Sequence, residues 1–314
     1  MKEIRLRMCN AKPSKKVTRQ VNGILLLDKP YGLSSNKALQ IVKRLFCAAR
    51  AGHTGSLDPL ATGMLPVCFG HATKLSAFML DADKSYCVSA KLGQKTDTGD
   101  AEGDVIDTRP ILQISSADFR GVLDGFLGET EQIPPMYSAL KCDGKRLYEL
   151  ARKGIAVERK PRKIFLRHIE LLEWNETGFT LNVSCSKGTY IRTLVEDIAE
   201  RIGTVAHVSQ LRRTGLANFS QDAMVTLDDL RELAEQNQNL DSTLLPVDYP
   251  IQHLPYIELD EHSAFYLKRG QPVQVAYAPD ASQIRLYEAE SRKFIGIGEM
   301  QMNGLVAPKR LFIG

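Results

Sequence analysis

Hydrophobic and polar positions along the chain follow two periods. Residues 21–27 form a short apolar run that ends in Asp28-Lys29-Pro30-Tyr31-Gly32, the pattern of a buried strand followed by a Pro/Gly turn. Ala38, Ile41, Val42 and Leu45 then recur at helical spacing behind Ser34 and Ser35, either of which suits a helix cap. Residues 64–69 predict a strand, 72–80 a helix, and 84–92, by alternation, another strand. Residues 93–107 are rich in Gly, Asp and Thr and predict a solvated hairpin loop. Its acids, Asp97, Asp100, Glu102 and Asp104, lack the spacing of a calcium loop. Residues 115–126 predict a helix capped by Ser115 or Ser116.

In residues 179–186 the period is two, with Leu181, Val183 and Cys185 on one face. This predicts a strand of an antiparallel sheet with one face covered. Lys187-Gly188 breaks it, and a helix follows through Leu194, Val195 and Ile198 to a glycine stop at Gly203. Tyr190 and Arg192 therefore fall at a strand-to-helix corner, where side chains can project into a cleft. Residues 206–214 predict a further strand, and 226–234 a helix capped by Thr226 with acids in its first turn. From about residue 252 the texture changes. Short runs at 265–270, 283–288, 294–299 and 305–312 alternate with Gly and Pro, which predicts a small β-barrel.

Length changes the picture only by allowing two domains: the chain has 314 residues, 43% hydrophobic and 25% charged. No apolar run approaches the roughly 20 residues of a membrane span, and no secretory h-region follows the basic start. The six cysteines are scattered without Cys-x-x-Cys pairs, which suits reduced thiols and a cytoplasmic location. The six histidines are equally dispersed, so no metal site is expected. Charge matters more by place than by sum. The net charge is +4, yet residues 1–20 carry seven Lys/Arg against one acid, and residues 141–167 carry ten against three. Segregated positive charge fits a polyanion partner, although a solvated tail and helix face would look similar. Residues 1–20 are expected to be a disordered basic arm.

The stretch with most chemical promise is Gly52-His53-Thr54-Gly55-Ser56-Leu57-Asp58-Pro59-Leu60-Ala61-Thr62-Gly63. Its glycines permit turns, and Pro59 keeps Asp58 out of the helical region. Alone, an Asp-Pro pair is more often a turn opener than an active site. The run as a whole resembles, almost position by position, the catalytic motif of the TruB family of tRNA pseudouridine synthases. Gln132 to Arg152 and Ser186-Lys187-Gly188-Thr189-Tyr190-Ile191-Arg192-Thr193 resemble the family too.

The resemblance implies a fold and an activity. The fold is α+β: a mixed, mostly antiparallel sheet flanked by helices, the pseudouridine synthase fold, followed by a PUA-like C-terminal barrel. The expected domains are the arm at 1–20, the catalytic domain at 21–250 with an RNA-binding thumb insertion at about 130–160, and the RNA-binding barrel at 251–314. The activity is isomerisation of uridine to pseudouridine at position 55 in the T-loop of tRNA, with no cofactor. The partner is the tRNA T-arm; no membrane or protein partner is implied, and a monomer is expected. Asp58 is implied as the catalytic nucleophile, Arg192 as its partner, and Tyr190 as a pocket residue that also helps move a proton. His53 is implied to fill or open the space of the displaced base, Tyr86 to stack on it, and Leu211 to line the pocket. Lys145, Arg146 and Lys153 are implied to grip RNA on the thumb. Lys29 is expected to support the catalytic loop rather than to react. Each has a plainer reading: a strand tyrosine, a core leucine, a loop histidine or a surface ion pair. A non-catalytic RNA binder or chaperone fits the charge equally well, but has no need of Asp58. A carboxylate-dependent RNA hydrolase needs a second acid, base or metal cluster near the loop, and the sequence offers none there.

Overall fold

The computed structural model describes residues 18–275, 279–301 and 304–312. The basic arm therefore lies outside the described residues except for its last three positions, as does Cys9. Those three positions differ from a disordered arm. Arg19 pairs through both terminal nitrogens with the two carboxylate oxygens of Asp241, at 2.7 and 2.6 Å, and its Nε donates to the Phe46 carbonyl.

The larger unit contains β1 (Gly23–Lys29), α1 (Ser35–Leu45), β2 (Ala51–His53), β3 (Thr62–Phe69), α2 (Ser76–Asp81) and β4 (Lys84–Leu92). The hairpin of β5 (Gln94–Thr96) and β6 (Val105–Thr108) follows, then α3 (Ser116–Asp124) and β7 (Gly128–Gln132). The insertion carries β8 (Lys141–Cys142), β9 (Lys145–Arg146) and α4 (Leu147–Ala151). The chain returns through β10 (Arg162–Asn175), β11 (Gly178–Cys185), α5 (Ile191–Arg201), β12 (Ala206–Leu216), β13 (Met224–Thr226) and α6 (Leu227–Glu235). Among the described residues, nine strands form one sheet in the order β13-β1-β3-β12-β4-β11-β10-β7, with β2 on β3. Only the β1–β13 and β12–β3 pairs are parallel, so the sheet is mixed and mostly antiparallel as expected.

The run at β1 is apolar at successive positions because the sheet is covered on both faces. Leu25 and Leu27 enter the main core with α1, while Ile24 and Leu26 enter a second cluster with Met64 and Phe219. Ser34 caps α1 by accepting from the Lys37 amide. Gly63 is held at φ +93, and a Cβ there would stand 2.3 Å from the Arg213 carbonyl. Glycine alone lets β3 and β12 approach this closely.

Two stretches depart from the sequence pattern. Residues 162–175, taken with the basic segment, form a 14-residue strand. Its register shifts twice, between Leu166 and His168 and between Leu171 and Glu173. Those bulges break the period-two signal that would mark a strand. Residues 265–270, grouped with the barrel strands, lie mostly in helix α7 (Glu261–Lys268), which is capped by Asp260 and buries Ala264 and Leu267.

The C-terminal unit is a curled five-stranded half-barrel built from β14 (Tyr256–Leu259), β15 (Val273–Gln274), β16 (Gln283–Glu288), β17 (Phe294–Met300) and β18 (Leu305–Leu311). Their order is β14-β16-β17-β18-β15. A third apolar cluster, with Leu75 and Ile251 on one side and Ile297 and Phe312 on the other, joins the two units. Among the described residues, no helix is long and apolar enough to cross a membrane.

Candidate active site

The loop between β2 and β3 is fastened from three sides, and Asp58 sits at its turn. Below it, the Ser35 hydroxyl accepts from the Leu57 amide at 2.7 Å and donates to the Leu57 carbonyl at 2.9 Å. Lys29, fully buried, donates to the carbonyls of Pro30, Leu33 and Pro59 at 2.9, 2.6 and 3.3 Å. Burial pulls its ammonium down to about 8, while the nearby Asp58 charge resists. Lys29 thus braces the loop through these carbonyls, the role the resemblance implied. On the third side Arg213, also fully buried, donates to the carbonyls of Met64 and Gly55 at 2.6 and 2.9 Å. Leu57, Leu60 and Ala61 pack into the core around Asp58.

Arg192, the second residue of α5, meets Asp58 from the opposite side. Its Nη2 lies 3.1 Å from Asp58 Oδ2, with the arginine side chain 8% exposed and the aspartate 45% exposed. The same guanidinium donates to the carbonyls of Thr98 at 2.6 Å and Tyr137 at 2.7 Å, and stands 3.6 Å from Asp100 Oδ2. A planar fork with five fixed donors can serve all these acceptors at once. Crowding by protein pushes the Asp58 carboxyl up from its ordinary value, and the Arg192 guanidinium pulls it back down. The net direction is upward, so the guanidinium offsets part of the burial effect and not all of it.

Asp100 corrects the expectation of a solvated acidic hairpin. It is 4% exposed, and its Oδ1 accepts from the Thr98 hydroxyl and the Glu102 amide at 2.7 and 3.1 Å. The hairpin is solvated at Asp97, Glu102 and Asp104, but it turns Gly99 and Asp100 inward and so supplies a second carboxylate to Arg192.

The remaining residues implied by the sequence divide into two groups. Tyr86 lies on β4 directly across from Arg213 of β12 and is buried. Burial pushes its phenol up, and the Arg213 charge pulls it down. Leu211, on β12 opposite Val88, is 9% exposed. Tyr190, the N-cap of α5, is half-buried, and burial pushes its phenol up; the charges of both Arg192 and Asp58 are felt there. Tyr86 and Tyr190 both stand close enough to feel the Asp58 charge, and Leu211 shares β12 with Arg213. His53 stands on the Arg213 side of the loop. Its Nδ1 is buried without a partner, and burial with the Arg213 charge pulls its imidazole down. Both effects favour the neutral ring, which suits packing rather than ion pairing. Lys145, Arg146 and Lys153 form the second group; all are exposed on the insertion, apart from the Asp58 cluster.

Sequence reasoning missed Asp100, Arg213 and Ser35 as parts of this arrangement. A buried arginine inside a strand and a serine inside a first helical turn carry no local signal that separates them from surface residues.

Family models match three consecutive segments of the chain. A model described as TruB family pseudouridylate synthase, N-terminal domain, covers residues 43–191. The tRNA pseudouridylate synthase B C-terminal domain covers 192–252, and the pseudouridine synthase II TruB C-terminal model covers 255–312. The tRNA pseudouridine synthase B of Serratia proteamaculans is 50% identical, over 94% of this chain and 96% of its own. The protein of the same description from Yersinia enterocolitica is 51% identical, over 94% of this chain and 92% of its own. Among solved structures, a Cbf5–Nop10–Gar1 complex contains a chain of the same fold, with a TM-score of 0.68, 23% identity, and coverage of 93% of this chain and 85% of that one. Fold and family models together define the class: this is a pseudouridine synthase, an isomerase. Within that class the chain belongs to the TruB family.

Proposed function

We propose that this enzyme converts uridine 55 in the T-loop of tRNA to pseudouridine, with Asp58 as the nucleophile. The tRNA substrate follows from the description its relatives carry, and the position from the resemblance of its motifs. The observation that carries the mechanism is the 3.1 Å contact between Arg192 Nη2 and Asp58 Oδ2, on a loop fixed by Ser35, Lys29 and Arg213. A nucleophilic carboxylate must be ionised, and an adjacent guanidinium favours that form.

The reaction breaks the bond from ribose C1′ to uracil N1 and forms one from C1′ to C5. The C5 proton is lost and N1 gains one, so the product is an isomer and no redox partner enters. A uracil stacked in a folded loop is beyond the reach of a carboxylate held in its own protein loop, so the nucleotide is extruded first. In this reading His53 occupies the space the base vacates. Tyr86 stacks on the extruded ring, Leu211 and Tyr190 bound its pocket, and Tyr190 assists the proton transfer. Lys145, Arg146 and Lys153 hold the RNA backbone, and the half-barrel adds a further RNA-binding surface.

The test is tritium release from tRNA labelled at uracil C5. Asp58→Asn keeps the side-chain shape and removes the nucleophile. It is expected to abolish release while leaving tRNA affinity within about tenfold, because phosphate contacts dominate binding. Turnover by the variant at the wild-type rate would end the assignment of Asp58.

A further inference from the structure

Helix α5 begins without an ordinary cap: Tyr190 is its N-cap, and no side chain of its own turn bonds the free amides. The fixing comes instead from 58 residues upstream in sequence. Gln132, at the end of β7, is 3% exposed. Its Oε1 accepts from the Tyr190 amide at 2.7 Å, and its Nε2 donates to the Tyr190 carbonyl at 3.0 Å. One amide side chain thus holds both backbone groups of one residue, as a neighbouring strand would. Two residues on, Arg192 reaches Asp58, and Arg192 also donates to the carbonyl of Tyr137, five positions after Gln132. The root of the insertion grips the start of α5 at the backbone and at the guanidinium.

We propose that Gln132 is a positioning residue for the reaction: its two-point clasp on Tyr190 sets where Arg192 and the Tyr190 ring stand relative to Asp58. Gln132 touches neither Asp58 nor the Arg192 side chain in any contact described above, so it acts through the backbone. Gln132 is buried, so losing the clasp leaves the Tyr190 amide unpaired and the Tyr190 carbonyl with only its bond from the Leu194 amide at 3.0 Å, and the first turn of α5 is free to shift. A misplacement of about 1 Å at a reacting centre costs on the order of 100-fold in rate.

This inference rests on the Asp58–Arg192 reading, so the experiment includes Asp58→Asn beside Gln132→Met and Gln132→Glu in the full-length chain. Met keeps the length and loses both bonds. Glu keeps an acceptor for the Tyr190 amide but sets a carboxylate against the Tyr190 carbonyl. Single-turnover tritium release is measured with enzyme in saturating excess, so that a smaller folded fraction does not lower the rate. Both Gln132 variants are expected to lose about 10- to 100-fold in that rate with tRNA affinity within about threefold. The acid limb of the rate profile is expected to move to higher pH, because a displaced Arg192 no longer holds the Asp58 carboxyl down. A merely structural glutamine would lower yield or melting temperature and leave the saturated rate and the acid limb in place; that result overturns the proposal. If Gln132→Met does not fold, Gln132→Glu decides by the same two readouts. An active Asp58→Asn would sink the underlying reading instead, and an inactive one with normal Gln132 variants would sink this inference alone.

Discussion

Arg192 divides its guanidinium among two carbonyls and two carboxylates, and of the two carboxylates Asp58 is 45% exposed and Asp100 5%. The other three acceptors hold the fork still, so that one carboxylate is met at a fixed angle. The pH behaviour follows from the direction of the Asp58 shift. Burial raises its carboxyl and Arg192 lowers it; the anion is the working form, so activity is present above this pKa and fades as pH falls through it. Arg192→Lys retains a positive charge, but its three donors sit on one nitrogen and cannot serve four acceptors spread along the guanidinium fork. The acid limb of kcat/KM, which reports the free enzyme, is expected to rise by about 1 pH unit, with turnover down on the order of 100-fold. An unmoved acid limb would show that Arg192 does not hold Asp58 ionised. At this scale Asp58, Arg192 and Tyr190 were legible because each lies in a long run of matching residues. Asp100 and Gln132 were not, because their roles depend on chain segments that approach only after folding. Asp100 sits among four acids that look alike in sequence, and only the inward turn of the loop separates it from its solvated neighbours.

The insertion after β7 is small and mostly surface: β8 and β9 are two residues each and α4 is five. Leu147 is its buried anchor, and Arg146 and Arg152 flank the Tyr148 ring with their guanidinium carbons 6.0 and 5.6 Å from its centre. Lys145, Arg146 and Lys153 project outward, so replacing them removes charge without opening a core. Lys145→Gln, Arg146→Gln and Lys153→Gln together are expected to weaken tRNA binding. They should also flatten the slope of log affinity against log salt by up to about 2–3, since each phosphate contact contributes roughly 0.7–0.9. Filter binding across a salt series reads that slope directly, and an unchanged slope would remove the insertion from the RNA interface. Elements were legible where one period ran without interruption, as in β4, β11 and α1, or where turn residues bounded an apolar run, as in β1. Strand β10 escaped because two bulges reset its alternation. Helix α7 escaped because Phe265-Tyr266-Leu267 is as apolar as a strand, and only the burial of Ala264 with Leu267 three positions on reveals the helix.

At the scale of the whole molecule the two units share structure rather than merely a linker. Leu75 and Ile251 are fully buried against Ile297 and Phe312 of the half-barrel. Arg285 pairs with Asp248 at 3.0 Å and donates to the Leu254 carbonyl, while Lys74 donates to the Leu311 carbonyl at 2.9 Å. The Arg310 guanidinium returns a bond to the Lys74 carbonyl. Removing residues 252–314 would therefore uncover apolar surface on the catalytic unit. Two large side chains taken from full burial to water cost roughly 3–6 kcal/mol at about 1.5–3 each. That is a large share of the 5–15 kcal/mol by which domains of about this size are stable. The truncated protein is expected to melt on the order of 10 °C lower, at about 2–4 °C per kcal/mol. None of the contacts described for Asp58, Arg192, Tyr86 or Tyr190 involves residues 252–314. Below its melting range the truncate should therefore keep turnover at saturating tRNA and lose affinity. Thermal unfolding combined with saturation kinetics separates the outcomes. An unchanged melting temperature would show that the shared cluster contributes nothing. Complete loss of turnover in a folded truncate would show that the half-barrel completes the active site and that the catalytic unit does not suffice alone.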